Sequence, residues 1–489
     1  MNEQDFFSVK KLSGALARRE VSAAEATGFF LKRIERDKAL NAFHCVTEDI
    51  AFARAAEADA RLQAGAPLHA LDGVPVAVKD LFCTEGATSE SCSNILRGFI
   101  PPYESTVTQQ LRDAGAVMLG KVNMDEFAMG SSTASSCYGK TANPWKNKDN
   151  PDDVLTPGGS SGGSATAVAA GLAPFSLGSD TGGSIRQPAA FCGIVGLKPT
   201  YGRCSRRGMI AFASSLDQAG VFTNNVEDAA ITLQAICGYD AWDATSSQRD
   251  VGDFASELGR GVKGKRIGVP KEYDLPGLPD SIKKLWEKSV TYYKDAGAEI
   301  IDVSLPHTEY ALATYYVVAP AEASSNLARY DGVRYGKRAD GDFPSLDAMY
   351  ARTRSEGFGD EVKRRIMIGT YVLSSGYYDA YYVKAQKVRA RIAEDFSRAF
   401  EKVDAILAPV TPTPAFSLET KPDPLTMYMN DVFTIPASLA GLPAMSVPTG
   451  YADNGLPLGM QLIAPHFAEA SMLGLAAHLE EAAGFKGYL

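Results

Sequence analysis

The sequence predicts an α/β layered fold with a large mixed sheet, and three observations predict it. Short apolar runs of strand length recur along the 489-residue chain, most of them separated by helical or glycine-rich segments, and 45% apolar with 22% charged residues is a globular composition. No linker, low-complexity tract or internal repeat divides the chain, so one domain over residues 1–489 is expected.

Taken in order, residues 1–65 read as a helical N-terminal layer. Val9, Leu12 and Leu16, then Phe29, Phe30, Leu31 and Ile34, recur at roughly helical spacing, and Ser22-Ala-Ala-Glu25 has the form of a capping box. The apolar runs Val74–Val78, Val117–Leu119, Ile194–Leu197, Ile267–Val269, Ile300–Val303, Ala405–Ala408 and Met445–Val447 then read as buried strands. A long helical stretch is predicted from Glu361 to about Val403. Asn454-Gly455 marks a turn before a strand at Met460–Ile463.

Composition also excludes functions. A net charge of −9, with Lys and Arg scattered, argues against tight direct binding of nucleic acid by this chain. Seven cysteines without a C-x-x-C pair fit reduced thiols in a cytoplasmic protein and offer no zinc spacing, so no metal is expected in the chain. The charged N-terminus lacks an apolar signal segment, and no later run approaches 18 apolar residues, so no membrane association is expected.

The densest glycine and serine content lies between Thr156 and Gly202, with Gly-Gly-Ser clusters at Gly158–Ser160 and Gly182–Ser184. A phosphate loop needs a lysine that "GGSSGGSAT" lacks. Glycines that merely permit turns and close packing would explain one cluster more easily than two. Acyl transfer explains both: a serine attacks a carbonyl while unobstructed backbone N–H groups beside it hold the oxyanion. The serine needs a base, and the five histidines lie outside both clusters. Lys79, at the end of the run Val74–Val78, would have its pKa lowered by partial burial; alone, it could equally be a lysine snorkelling from a strand end.

"VPVAVKD", "PGGSSGGSA" and "GSDTGGSIRQPAAFCGIVGLKPTYG" together resemble the amidase signature family. The resemblance implies that family's fold, a large mixed central sheet covered by helices on both faces. It also implies a catalytic triad of Ser184 as nucleophile, Ser160 as bridging serine after a cis Gly159–Ser160 peptide, and Lys79 as base. Thr181, Gly182 and Gly183 would supply the oxyanion hole.

Over nearly the whole chain, including "MDEFAMGSS", "GYYDAYY", "DPLTMYMND" and "GLPLGMQLI", the sequence is similar to the branch formed by the A subunits of glutamyl-tRNA(Gln) and aspartyl-tRNA(Asn) amidotransferases. That likeness implies L-glutamine as substrate, amidotransferase subunits B and C as partners, and aminoacyl-tRNA met through the complex. ATP and Mg would be used at the partner subunit, with no cofactor in this chain. It further implies that Arg364 holds the α-carboxylate of glutamine, Asp431 its ammonium, and that Tyr315 is a further contact; Arg365, beside Arg364, is the alternative cation. The segment 144–157 is longer than this likeness leads one to expect and reads as a surface loop.

Overall fold

The computed structural model describes residues 2–420 and 424–489, with the backbone alone at 424 and 425. Among them, eleven strands form one sheet: β1 (Phe43–Val46), β2 (Pro75–Lys79), β3 (Val117–Val122), β4 (Phe175–Asp180), β5 (Val195–Lys198), β6 (Gln218–Thr223), β7 (Arg266–Pro270), β8 (Glu299–Val303), β9 (Ala405–Pro409), β10 (Ala444–Tyr451) and β11 (Pro457–Ile463). Their spatial order is β1-β3-β2-β4-β6-β5-β10-β11-β9-β7-β8. β2 lies parallel to β3 and β4, and β7 parallel to β8 and β9, whereas β4, β6, β5, β10, β11 and β9 pair antiparallel in turn. The mixed α/β sheet expected from the sequence is therefore present.

β2, β4, β5, β6, β9 and β11 are buried at every position, as strands covered on both faces must be. Each predicted strand overlaps an observed one, although Val74 and Ile194 fall just outside β2 and β5 and several strands run further than predicted, such as β2 to Lys79.

The N-terminal layer contains the helices Val9–Ala17, Ala23–Arg36 and Glu48–Gln63. The capping box forms as read: Glu25 N–H donates to Ser22 Oγ at 3.1 Å and Ser22 N–H to Glu25 Oε2 at 2.8 Å. The layer is not purely helical, because β1 interrupts it and closes one edge of the sheet against β3. The helical stretch expected from Glu361 to Val403 is also divided, into Asp360–Val372 and Lys384–Phe400. Between them lie Gly376 at φ +87°, a conformation that ends a helix, and one π-helical turn at Asp379–Val383. The Asn454-Gly455 turn is present, with Gly455 at φ +79°.

The segment 144–157 is a surface loop from Lys146 to Val154 that returns to the core at Leu155, which packs with Phe191, Ala415 and Leu456. No helix among the described residues is long and apolar enough to cross a membrane.

Candidate active site

The two Gly-Ser clusters each end in a short helix buried along its entire length, Gly162–Ala169 and Arg186–Cys192. β2, β4 and the first helix entrance bring Lys79 to the first cluster, and Gly159 N–H donates to Gln187 Oε1 at 2.9 Å, which ties that cluster to the helix that follows the second. Lys79 is the last residue of β2, fully buried, and its ammonium reaches three hydroxyls: Ser160 Oγ at 2.8 Å, Ser161 Oγ at 2.7 Å and Ser179 Oγ at 2.8 Å. Among the described residues, no carboxylate forms an ion pair with it. Burial consequently pushes its pKa down to about 7, against a smaller opposing pull from Asp125, Asp180 and Asp217.

The three hydroxyls are not equivalent. Ser161 donates its own proton to the Ser179 carbonyl at 3.1 Å, so toward Lys79 it can only accept. A neutral Lys79 keeps two N–H donors and one lone pair, which suits donation to Ser161 and Ser179 and acceptance of the Ser160 proton. The peptide bond Gly159–Ser160 is cis, as the resemblance implied.

Ser184 stands between β4 and the helix Arg186–Cys192. It is 8% exposed, whereas Lys79 and Ser160 are fully enclosed, so Ser184 is the member of the three that an incoming carbonyl can meet. A buried ion pair brackets its loop: Arg186 Nε and Nη2 donate to the two Asp180 oxygens at 2.9 and 3.0 Å, and Arg186 Nη1 donates to Thr434 O at 2.9 Å. Behind the loop, Thr181 Oγ1 donates to Asp217 at 2.7 Å, and Asp217 also accepts the N–H groups of Phe212 and Ala213. Among the described residues, no acceptor engages the backbone N–H groups of Thr181, Gly182, Gly183 and Ser184. Four free donors in a rigid loop beside a serine are what an oxyanion hole requires.

The loop glycines mark where the other candidates approach. A Cβ on Gly182 would lie 2.8 Å from the Tyr315 ring, and one on Gly183 would lie 2.3 Å from Thr434 Oγ1 and 2.6 Å from Asp431 Oδ1. Tyr315 and Asp431 thus both sit against the nucleophile loop. We expect Gly183→Ala to lower kcat by at least about tenfold, because a shift of order 1 Å in the hole or in Asp431 misplaces reacting atoms; unchanged kcat would show that the loop tolerates the shift.

Asp431 is buried. Its Oδ2 accepts from Ser131 Oγ at 2.5 Å and its Oδ1 has no hydrogen-bond partner among the described residues. Burial raises its pKa to about 7, opposed by the Ser131 bond. Ser131 also lines an adjoining cavity of about 440 Å³, together with Glu361, Arg364, Arg365 and Tyr428. Both arginines bond to the same carboxylate, Glu361, so these three side chains together carry one net positive charge, while Asp125 also lines the cavity. Arg365 is 3% exposed and enclosed by Phe212, Tyr316 and Tyr428, with its guanidinium 5.3 to 5.6 Å from their ring centres. The side chain of Arg364 is 46% exposed and faces the open side. Of the motif "DPLTMYMND", Asp423 lies outside the described residues.

Sequence reasoning missed Ser161 and Ser179, which complete the shell of Lys79, and Ser131, which orients Asp431. It also missed Asp125, a buried carboxylate that accepts the N–H groups of Ser132, Thr133, Ala134 and Ser135 and so folds the loop that carries Ser131. All four residues lie inside the quoted motifs, so the signal was present without a partner to give it meaning.

Comparison with known proteins agrees with this geometry. The family model described as Amidase matches residues 25–473. The chain is 56% identical over 478 residues to the A subunit of glutamyl-tRNA(Gln) amidotransferase from Zymomonas mobilis subsp. mobilis, covering 98% of this chain and 97% of that one. It is 58% identical over 482 residues to the protein of the same name from Cereibacter sphaeroides, covering 98% and 97%. Among solved structures, the A subunit of glutamyl-tRNA(Gln) amidotransferase from Thermotoga maritima superposes with a TM-score of 0.72 at 45% identity over 84% of each chain. Peptide amidase from Stenotrophomonas maltophilia superposes with 0.81 at 30% identity over 97% of this chain and 96% of that one. With the family model spanning most of its length and relatives 56 to 58% identical over nearly the whole chain, the chain belongs to the amidase signature family.

Proposed function

We propose that this chain is the glutamine-hydrolysing subunit of a tRNA-dependent amidotransferase. It would release ammonia from L-glutamine through an acyl-enzyme on Ser184, for transamidation of Glu-tRNA(Gln), Asp-tRNA(Asn) or both at a partner subunit. Subunits B and C would be its partners, with ATP and Mg used at the partner and aminoacyl-tRNA met through the complex.

The observation that carries the substrate is Asp431. A buried carboxylate with one oxygen unpartnered among the described residues, in contact with the nucleophile loop, is a costly arrangement unless a cation completes it, and the ammonium of glutamine is such a cation. The net positive group of Arg364, Arg365 and Glu361 suits the α-carboxylate, and Arg364, bonded to Glu361 but half-exposed, is the arm that would reach it. The names of the relatives support the same reading.

In the reaction, neutral Lys79 accepts the Ser160 proton as Ser160 takes that of Ser184 and Ser184 Oγ attacks the amide carbon. The oxyanion forms against the free N–H groups of residues 181–184. The proton returns along the same path to the leaving ammonia, and water then hydrolyses the glutamyl ester. A second reading, a free-standing amidase for another small amide, draws on the likeness to peptide amidase.

Release of ammonia and glutamate by the purified chain, alone and with subunits B and C, charged tRNA and ATP, set against simple amides, separates the two. Glutamine-selective hydrolysis that rises with the partners is expected; turnover of simple amides with glutamine ignored would favour the second reading. The pH profile is a further test. Lys79 must be neutral and Asp431 ionised, and both change state near pH 7, so kcat/KM for glutamine should fall as pH drops, with a log–log slope approaching about 2. A neutral amide that ignores Asp431 should show a slope of about 1.

A further inference from the structure

All seven cysteines are unpaired, and the mechanism uses none of them. Cys204 and Cys237 nevertheless have their sulfurs 3.6 Å apart, at van der Waals contact, inside the main hydrophobic core. Cys237 follows the helix Val226–Ile236 as its C-cap in extended conformation, and Cys204 lies on the segment that leaves β5. The two backbones already run side by side, because Gly238 N–H donates to Arg203 O at 3.1 Å. Closing the sulfurs to a bond therefore needs side-chain rotation and a small shift rather than a rearrangement of elements.

We propose that Cys204 and Cys237 form a dithiol modification site that a small oxidant of the peroxide class closes to an intramolecular disulfide. One thiolate attacks a peroxide oxygen and the O–O bond breaks, leaving a sulfenic acid and, with one proton, water. The second sulfur then attacks the sulfenic sulfur, the S–S bond forms, and a second water leaves. Two thiols lose two electrons and two protons, and the peroxide is reduced to two waters.

Cys204 is fully buried and Cys237 is 8% exposed, so only a small oxidant enters, from the Cys237 side. Burial and the neighbouring Cys204 push the Cys237 thiol well up, which makes the step slow. In a reducing cytoplasm the pair stays open, in keeping with the cysteine usage of the chain. Once closed, it ties the end of the helix Val226–Ile236 to the segment that runs on to Asp217, the residue behind Thr181. The bond would close a loop with a sequence separation of 33 residues, a length at which cross-linking removes substantial freedom from the unfolded chain.

The test is peptide mapping of the full-length protein after hydrogen peroxide, with the peroxide removed and the protein then unfolded directly into denaturant containing excess alkylating reagent, so that buried free thiols are capped as they are exposed. A linked peptide pair containing Cys204 and Cys237, lighter by about 2 Da and reversed by dithiothreitol, is expected. The oxidised protein should melt at least about 2 °C higher than the reduced one. Cys204→Ser and Cys237→Ser should each abolish the linked pair; the wild-type map stands whether or not either variant folds. Both thiols alkylated at a dose that oxidises the half-buried Cys45 and Cys137 would overturn the proposal. So would a bond between Cys92 and Cys137, whose backbones are also adjacent, in place of the expected one.

Discussion

Ser184→Ala should lower kcat for glutamine by at least about 10⁴-fold, the scale on which serine hydrolases lose activity with their nucleophile. The melting temperature should stay within about 1 °C, because the substitution removes a hydroxyl at the rim of the cleft from a loop held by other bonds. Those bonds are the Asp180–Arg186 pair and the Thr181–Asp217 contact, and neither includes Ser184. KM should change little, since the groups proposed to recognise glutamine lie on other elements. Hydroxylamine should trap a glutamyl hydroxamate with the wild type and none with the variant, since trapping reports the ester itself. Undiminished glutaminase activity in Ser184→Ala would show that the nucleophile lies elsewhere and would remove the basis for the relay through Ser160. Lys79→Met should lose as much kcat for a different reason, the absence of a proton acceptor, and should also destabilise the fold. Three buried hydroxyls, those of Ser160, Ser161 and Ser179, would lose a shared partner.

The parts of this site that were legible in the sequence share a physical character. Lys79, Ser160 and Ser184 lie in short motifs whose backbone fixes their position, and aliphatic strands such as Val117–Val122 announce themselves by composition. β4, with the sequence FSLGSD, was missed because close packing against the helix Gly162–Ala169 requires small residues that read as loop. A Cβ on Gly178 would lie 2.5 Å from the Phe222 ring and 3.2 Å from Ser161 Oγ. β6 begins with a buried glutamine, and its Gly220 lies against Leu197 O, again hiding a strand behind polar and small residues. β1 is four residues at the sheet edge inside a helical layer, too short for a periodic signal.

The substrate side was less legible for a different reason. Tyr315, Arg364 and Asp431 come from three distant segments, and only the fold places Tyr315 and Asp431 against Gly182 and Gly183. Adjacent arginines on a helix point about 100° apart, so spacing alone left Arg364 and Arg365 open. The structure separates their environments, enclosing Arg365 among three rings and leaving Arg364 at the mouth.

Asp431→Asn should be the second large effect, and its value lies in being selective. If the carboxylate meets the ammonium of glutamine in a water-excluded pocket, replacing it by an amide leaves that ammonium buried and uncompensated. Breaking such a pair costs about 3 kcal/mol or more, so kcat/KM for glutamine should fall by about 100-fold or more. A primary amide without an ammonium group loses nothing by the change, and its kcat/KM should stay within about threefold of the wild type. Stability should not fall, because the folded wild type already pays for a buried carboxylate that, among the described residues, only the Ser131 side chain engages. The pH profile supplies a readout that a merely structural role would not move. With Asp431 gone, the glutamine profile should drop from a two-proton to a one-proton dependence, since only Lys79, with its pKa near 7, still titrates in that range. A variant that loses glutamine and simple amides equally, or that keeps the steeper slope, would place the ammonium elsewhere and leave Asp431 as a support of the nucleophile loop.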